Sequence, residues 1–356
     1  MPSMTTPSST WWERCCRRRT SNVCCATTTR VALAPRTSRT ACCGTLQAPD
    51  LLEALRTAAL VQSVESSNRI EGVTVEPSRL RPLVLGDARP RGRSEEEIRG
   101  YRRALALIHS RAEALSITPA TIQQLHRTAQ EGAADAGAWK RADNDIIEVR
   151  PGQAPRVRFR PVAATRTAEA IDELCLAYRH TVDQSLAPPL VAVAALVFDF
   201  LCVHPFRDGN GRVSRLLTLL ALYQYGFEVG RYISLERLVE DEKAGYYEAL
   251  HASSAGWHDG RHDLLPWLTF FLSVLRQAGR ELEARAGQMK RPRGVKRLLV
   301  EQAIEGFPGP FTVAELERAA PGVSREMIRR VLADLRKAER VECQGRGPGA
   351  PWVKKR

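Results

Sequence analysis

A single stretch of the chain combines a base, a carboxylate and two cations at close spacing. It spans the twelve residues from His204 to Arg215 and reads HPFRDGNGRVSR. A histidine can accept a proton near neutral pH, and a carboxylate such as Asp208 is a hard oxygen ligand for a Mg²⁺ ion that already holds phosphates. Arg212 and Arg215 are three residues apart, hence on one helical face, and can hold phosphate oxygens. These groups together predict attack on a phosphoanhydride, with His204 as the base.

Two apolar segments must position these groups. Residues 190–203 and 216–223 are apolar on nearly every side, which predicts two helices buried in a helical core. Pro205 lacks an amide hydrogen and favours an extended conformation of His204. We therefore expect the first helix to end at about that position.

The loop between these helices is expected to bind anions through its backbone. Gly209 and Gly211 permit positive φ angles and close approach of the backbone to a ligand. The loop continues directly into the N-terminus of the second helix, where unpaired amides and the helix dipole favour anions. Asn210 would add a neutral donor beside the same groups. The loop thus predicts a phosphate-binding element next to the base.

The same stretch resembles the signature of the Fic (Fido) family, His-Pro-Phe-x-Asp/Glu-Gly-Asn-Gly-Arg-x-x-Arg, and every fixed position is present. In that family the motif implies transfer of AMP from MgATP to a hydroxyl of a target protein. The resemblance therefore implies that His204 is the catalytic residue and that Asp208 binds the metal. It also implies the following ATP- and phosphate-binding residues: Asp208, Gly209, Asn210, Gly211, Arg212, Val213, Ser214 and Arg215.

A second motif precedes the signature. Apolar residues recur at helical spacing over 48–72, so we expect a helix with Gly72 as its C′ residue. The end of this segment, from Ser67 to Gly72, reads SNRIEG and matches the family's inhibitory pattern Ser/Thr-x-x-x-Glu-Gly/Asn. The resemblance implies that Glu71 pairs with Arg215 and draws it off the γ-phosphate, which inhibits the enzyme. An exposed glutamate at a helix end is the alternative.

Residues 145–150 and 156–160 predict a β-hairpin. In the second strand Val157 and Phe159 share one face, and three arginines share the other. The family has a hairpin flap here, which holds the target protein in extended form by strand addition. A surface hairpin with a solvated arginine face is the alternative.

The remaining central segments are expected to be mostly helical, at about 94–114, 118–130, 167–178 and 266–275, with 73–92 as a connection. His109 and His126 fall on two of these helices, and we expect them to be structural. Tyr246 and Tyr247 match a pair that lies beside the adenine in many family members. Packing of the two tyrosines on a helix surface is the alternative.

The C-terminal segment resembles a winged helix, a module often fused to Fic domains in bacteria. Residues 295–304 have a helical apolar stripe, Thr312 and Glu315 form a capping box, and Ser324 caps a longer helix that carries several arginines. A hairpin is expected to follow. Such a module binds either DNA or protein, the latter including a second copy in a homodimer, and the sequence leaves these alternatives open.

Charge and cysteine content limit the classes of function. The net charge is +13, but the excess lies within 1–50 and 290–356, so only the C-terminal segment is a candidate for nucleic acid. The sequence contains no charge-free apolar run of 18 or more residues, so we expect no transmembrane span. Six of the nine cysteines form three adjacent pairs before residue 44, without the CxxC spacing of zinc sites. A reducing, cytoplasmic location is expected.

We therefore expect a mainly α protein in which a Fic-type helical bundle with a small β-hairpin flap precedes a winged helix-turn-helix domain. Residues 1–46 are expected to be disordered or added by an incorrect start codon, with a transit peptide as the alternative. Residues 47–90 are expected to form the inhibitory helix and a connection. The Fic domain is expected over 91–288 and the winged helix over 289–356. The expected function is a protein adenylyltransferase that uses ATP and Mg²⁺. The alternatives are removal of AMP or transfer of another phosphate-containing group at the same site, and a DNA-binding regulator in which the domain is a nucleotide-gated switch.

Overall fold

The computed structural model describes residues 49–148, 154–289, 292–307, 309–320, 323–345, 347 and 349–355. The N-terminal extension expected over 1–46 and the tip of the expected hairpin lie outside these residues. None of the helices in the described ranges combines the length and the apolar character that crossing a membrane requires.

Helices dominate the described residues. In chain order they are α1 Pro49–Ile70, α2 Pro77–Leu85, α3 Arg93–Arg111, α4 Pro119–Ala129, α5 Thr167–Asp183, α6 Pro189–Val203, α7 Asn210–Gln224, α8 Leu235–Asp241, α9 Lys243–Ser254, α10 Leu265–Met289, α11 Pro292–Glu305, α12 Val313–Ala319 and α13 Arg325–Lys337. The strands are β1 Ile146–Glu148, β2 Arg156–Phe159, β3 Val341–Cys343 and β4 Trp352–Lys354, and they form two antiparallel pairs, β1–β2 and β3–β4. The mainly α class predicted from the sequence is confirmed.

The chain divides into two compact units, each assembled from separate segments. The described residues of the first unit lie within 104–226 and 242–273. Those of the second unit lie within 49–103, 227–241 and 274–355.

The first unit is built around α6 and α7. Every residue from Ala192 to Phe200 is buried, which explains why this segment is apolar apart from Asp199. The α6 helix packs against α5 and α7, and α4 packs against α7. Cys175 on α5 and Cys202 on α6 are buried free thiols, as expected, and burial raises the pKa of the Cys175 thiol to about 12.

The second unit contains α1, which packs against α2, α8 and α11. A buried polar cluster ties α1 to α3 and α8. Glu236 is 2 % exposed and accepts hydrogen bonds from Ser63 Oγ at 2.7 Å and Tyr101 Oη at 3.0 Å. Because a buried carboxylate without such donors is costly, these hydroxyls are part of what stabilises the position of α1.

The predicted end of α1 is confirmed. Gly72 has a φ of +81° and donates its N–H to the carbonyl oxygen of Arg69 at 3.0 Å. Val73 donates to the carbonyl oxygen of Asn68 at 2.9 Å. This is the Schellman arrangement, in which a left-handed glycine stops a helix. Glu71 therefore lies between the last residue of α1 and the left-handed glycine.

The last three helices and the second strand pair enclose a small apolar core that includes Val300, Leu316, Ile328 and Leu332. Both predicted N-caps are present, since Thr312 and Glu315 form a capping box and Ser324 accepts the N–H of Met327.

The sequence expectation for the segment after α1 was wrong. Residues 73–92 were expected to be a connection, but α2 lies within them. Leu80, Leu83 and Val84 are buried at helical spacing, and Pro77 starts the helix, where a missing amide hydrogen costs nothing. Pro82 lies inside the helix and made the segment read as irregular. The apolar contacts outweigh the single hydrogen bond that Pro82 removes.

Candidate active site

The candidate site begins where α6 ends. His204 adopts the left-handed conformation, with φ 51° and ψ 59°, and donates its N–H to the carbonyl oxygen of Phe200 at 2.9 Å. The helix end predicted from Pro205 is confirmed, whereas the extended conformation predicted for His204 is wrong. A left-handed non-glycine residue costs about 1–3 kcal/mol, and such residues concentrate at functional sites. Here the helix cap and the buried loop hold His204 in that conformation.

The imidazole of His204 has a defined orientation. Its Nδ1 lies 3.3 Å from the carbonyl oxygen of Leu201. A carbonyl oxygen can only accept, so the neutral ring carries its proton on Nδ1 and Nε2 is the basic atom. The side chain is half-buried. An imidazole held in this way can act as a general base.

The loop from His204 to Asn210 is closed by one side chain. Asn210 Oδ1 accepts the N–H of Phe206 at 2.9 Å, and Asn210 Nδ2 donates to the carbonyl oxygen of the same residue at 2.7 Å. Asn210 is 2 % exposed and Phe206 is fully buried. The side chain of Asn210 therefore holds the loop together, while its backbone amide lies in the first turn of α7, where intrahelical acceptors are missing.

The two glycines of the loop differ. Gly209 is the N-cap of α7 with φ +77°, as predicted, and a Cβ at this position would overlap the side-chain amide of Gln130. Gly211, in contrast, lies inside the first turn of α7 and has no positive φ, so that part of the prediction was wrong. A glycine at 211 leaves the helix N-terminus open to a ligand, which is where anions bind.

Asp208 is the acidic group of the loop. Its carboxylate is 57 % exposed, Oδ1 accepts the N–H of Gly209 at 2.7 Å, and Oδ2 lies 3.7 Å from an Nη of Arg212. No cluster of three or more acidic, histidine or cysteine residues forms a metal cage within the described ranges. An accessible lone carboxylate nevertheless suits Mg²⁺, which is commonly held by one or two carboxylates, substrate phosphates and water.

The remaining signature residues lie on α7. Arg212 is 1 % exposed and Arg215 is 7 % exposed, so both guanidinium groups are largely removed from bulk water. Electrostatic attraction for phosphate is stronger there than at the surface. Val213 is buried in the core, and Ser214 Oγ donates to the carbonyl oxygen of Gly211 at 2.8 Å. Those two side chains support the helix.

Two residues that the sequence did not reveal, Lys140 and Asn144, hold the loop through hydrogen bonds to its backbone. The backbone N–H of Lys140 donates to the carbonyl oxygen of Pro205 at 2.8 Å, and Lys140 Nζ donates to Asn144 Oδ1 at 2.9 Å and to the carbonyl oxygen of Val203 at 3.3 Å. Asn144 Nδ2 donates to the carbonyl oxygen of Phe206 at 3.1 Å. Burial lowers the pKa of Lys140 to about 8. Their bonds to the loop go to backbone atoms, which leave no spacing pattern in the sequence.

The two helical histidines, which were expected to be structural, each have a hydrogen-bond partner. His109 Nε2 lies 3.2 Å from the hydroxyl of Tyr223. His126 is buried, and its Nε2 lies 3.0 Å from the carbonyl oxygen of Asp208. Burial, as the largest effect, lowers the pKa of His126.

The predicted hairpin is confirmed as β1–β2, with Ile147 opposite Val157. These two side chains are 56 % and 42 % exposed, so the hairpin presents an apolar pair to solvent. The arginine face is not entirely solvated. Arg158 lies over the ring of Tyr247 at 5.8 Å and donates to the carbonyl oxygen of that residue. This contact attaches β2 to α9.

The tyrosine pair lies on α9 and is unequally exposed. Tyr246 is 5 % exposed and packs 5.8 Å from both Trp267 and Phe270, whereas Tyr247 is 36 % exposed. Tyr246 thus belongs to an aromatic cluster of α9 and α10, and Tyr247 lies at its edge beneath Arg158. This is the surface packing that the sequence left as the alternative; the adenine contact stays a prediction.

Comparisons with known proteins agree with this geometry. The family model described as the Fic/DOC family matches residues 116–222. A Fido domain-containing protein of Dictyostelium discoideum is 32 % identical over 106 residues, which are 30 % of this chain and 68 % of that protein. A protein adenylyltransferase Fic of Nematostella vectensis is 26 % identical over 233 residues, 64 % of this chain and 48 % of the relative. The chain thus spans about half the length of this adenylyltransferase.

The fold also matches a solved structure. The crystal structure of a Fic family protein from Desulfovibrio desulfuricans superposes with a TM-score of 0.55 at 19 % identity, over 99 % of this chain and 98 % of the other.

We predict that Gly209→Ala destabilises the chain more than Gly226→Ala. Both glycines have left-handed φ angles, of 77° and 78°, but a Cβ at 226 meets nothing within 4 Å, whereas a Cβ at 209 meets buried Gln130. Urea unfolding should show a loss of about 1–2 kcal/mol for Gly226→Ala and a further ~1–3 kcal/mol for Gly209→Ala. Equal losses would mean that Gln130 moves aside without cost.

Proposed function

Because the chain belongs to the Fic/DOC family, we propose that it is a protein adenylyltransferase, which transfers AMP from MgATP to a Tyr, Ser or Thr hydroxyl of a target protein. One observation carries this proposal. His204 and Asp208 lie in a single closed loop that ends at the N-terminus of α7, with Arg212 and Arg215 following on that helix. A base, an acidic ligand and an anion site are thereby held close together, as attack on a phosphate requires.

The proposed reaction is a single displacement. The target hydroxyl gives its proton to His204 Nε2 and its oxygen attacks the α-phosphorus of ATP. The bond between the α-phosphorus and the bridging oxygen breaks, and pyrophosphate leaves. The amides of the first α7 turn, Arg212 and Arg215 hold the phosphates. Asp208 is the residue that would hold Mg²⁺, which when bound neutralises charge on the phosphate oxygens.

The target is proposed to dock on the β1–β2 hairpin. Ile147 and Val157 are exposed on opposite strands of that hairpin, and exposed apolar pairs of this kind are suited to the side chains of an added strand. The contact of Arg158 with Tyr247 fixes the base of the flap. Removal of AMP, or transfer of another phosphate-containing group, remains the alternative reaction at the same site.

Autoinhibition by Glu71 is also proposed, on the motif from Ser67 to Gly72. Ser67 is fully buried, and the left-handed Gly72 ends α1 directly after Glu71, which is exposed. A carboxylate at a helix C-terminus opposes the helix dipole and is stabilised by a cation. The helix end therefore supports the inhibitory role that the motif implies.

The C-terminal module is proposed to be a winged helix that contacts DNA. Its order of three helices and a hairpin, with Phe311 bridged to Trp352 of β4, supports this assignment. The buried side of α13 faces the apolar core, and its exposed side carries a stripe of cations: Arg325, Arg329, Arg330, Arg336 and Lys337. A cationic stripe on the third helix is suited to a groove of duplex DNA.

We predict that His204→Ala abolishes transfer of label from α-³²P-ATP to protein, since loss of a general base costs about 10²–10⁴-fold in rate. ATP affinity, measured by calorimetry, should change little. Arg207→Ala is the matched control, because Arg207 lies in the same loop but is exposed and pairs with Asp135 at 3.1 Å. Label that arrives only from γ-³²P-ATP would identify a phosphotransferase instead.

We predict that Glu71→Gly raises the rate of α-label transfer by about tenfold, the equivalent of about 1.4 kcal/mol. Glu76→Gly serves as the control, because Glu76 is also an exposed glutamate and makes no side-chain capping bond. An active wild type whose rate is unaltered by Glu71→Gly would contradict autoinhibition.

We predict that Arg329→Ala with Arg336→Ala weakens binding of the full chain to random-sequence duplex DNA and lowers the slope of log K against log salt by about 2, since each lost phosphate contact lowers it by ~0.9. Fluorescence anisotropy at several salt concentrations measures both quantities. Arg111→Ala with Arg141→Ala removes the same charge from exposed positions of the first unit and should leave the slope unchanged. Absence of DNA binding would favour a protein-binding or dimerising module.

A further inference from the structure

His126 is a buried histidine whose two ring nitrogens are both engaged. It is 3 % exposed, and its ring stacks on that of Phe206 with 3.7 Å between centroids and 3° between planes. The backbone N–H of Gly137 donates to Nδ1 at 2.8 Å. On the other side, Nε2 lies 3.0 Å from the carbonyl oxygen of Asp208. One ring thus connects α4, the segment that follows it, and the signature loop.

The two partners fix the tautomer of the ring. A backbone N–H can only donate, so Nδ1 must carry the lone pair. A carbonyl oxygen can only accept, so Nε2 must carry the proton. His126 is therefore neutral with its proton on Nε2, and this one tautomer satisfies both backbone groups.

The bond to Asp208 acts on the backbone of a residue whose side chain is largely exposed. The Asp208 carboxylate is 57 % exposed, and its Oδ2 lies 3.7 Å from an Nη of Arg212. Its direction also depends on the peptide that carries it and on the bond from the Gly209 N–H to Oδ1, at 2.7 Å. His126 fixes that peptide from the buried side. In metal sites, groups that orient the ligands in this way commonly change metal affinity by about 10–100-fold when removed.

We propose that His126 is a positioning residue: its Nε2–H holds the Asp208 peptide so that the carboxylate is directed to where phosphate-bound Mg²⁺ would lie. This rests on the proposed function, in which Asp208 is the metal ligand. The competing explanation is that His126 only fills space beneath Phe206. The first explanation needs a hydrogen-bond donor at position 126 that reaches the Asp208 carbonyl oxygen. The second needs only a side chain that fills the same volume.

Two conservative variants separate these explanations. The amide nitrogen of a glutamine reaches about as far as Nε2, so His126→Gln can still donate to Asp208. The amide oxygen of an asparagine lies near Nδ1, so His126→Asn can still accept from Gly137 but cannot reach Asp208. Both variants are made in the full chain with Glu71→Gly, so that the proposed inhibition does not enter, and His109→Ala is the control for loss of a helical histidine.

The measurement is calorimetric ATP binding at increasing Mg²⁺ concentration and again in EDTA. The quantity compared is the Mg²⁺ concentration at which ATP affinity has gained half of its metal-dependent increase. We expect this concentration to be about 10–100-fold higher for His126→Asn and within about threefold of the parent for His126→Gln. Binding in EDTA and the behaviour of His109→Ala should match the parent. In the parent chain, ¹⁵N shifts of the His126 ring should be those of the neutral Nε2–H tautomer, a test that needs no variant.

The proposal would be overturned if both variants raised the Mg²⁺ requirement equally, or if the parent ring carried its proton on Nδ1. His126 would then be a packing residue. A parent chain without any Mg²⁺ dependence would overturn it as well, together with the assignment of Asp208. The proposed function fails separately. If the parent binds MgATP as described but transfers no α-label to protein, adenylyl transfer is wrong while the role of His126 in holding Asp208 stands.

Discussion

The candidate site depends on the pair of hydrogen bonds between the side chain of Asn210 and the backbone of Phe206, at 2.9 and 2.7 Å. Both residues are buried, and breaking either bond would leave a buried polar group without a partner, at a cost of about 1–3 kcal/mol. That cost is comparable to the strain of a left-handed His204. The closed loop can therefore hold a strained residue at the end of α6 and place it beside the first turn of α7.

The two helices that carry the loop cannot easily shift. Most residues of both helices are buried and most of their buried side chains are apolar, so sliding either helix would open cavities in a closely packed core. A site on such helices is preorganised, because its groups keep their positions without a substrate to order them. The hairpin differs in this respect, since Ile147 and Val157 face solvent, while Arg158 and Phe159 of β2 contact Tyr247 and Trp257. The rigid candidate site and the exposed apolar pair thus belong to different elements of one unit.

The sequence predicted the elements whose signal is local. The all-round apolar runs predicted α6 and α7, Gly72 predicted the end of α1, and Thr312 and Ser324 predicted two helix starts. It failed where a local rule met a tertiary constraint. Proline at 205 favours an extended preceding residue, yet the cap of α6 and the loop contacts keep His204 left-handed. Proline at 82 is a helix breaker by propensity, yet the burial of three apolar side chains keeps α2 helical.

The signature residues were found from sequence because their chemistry lies in side-chain types at fixed spacing. Their supports were not, because Lys140, Asn144 and His126 act on backbone carbonyl groups more than 60 residues away in the chain. A carbonyl is present at every position, so the acceptor leaves no mark in the sequence, and the donor is an ordinary polar residue in a helix or loop. The same limit applied to Gln130, whose buried amide restricts position 209 to glycine. The residues that support a motif are therefore set by tertiary packing, and the structure is needed to identify them.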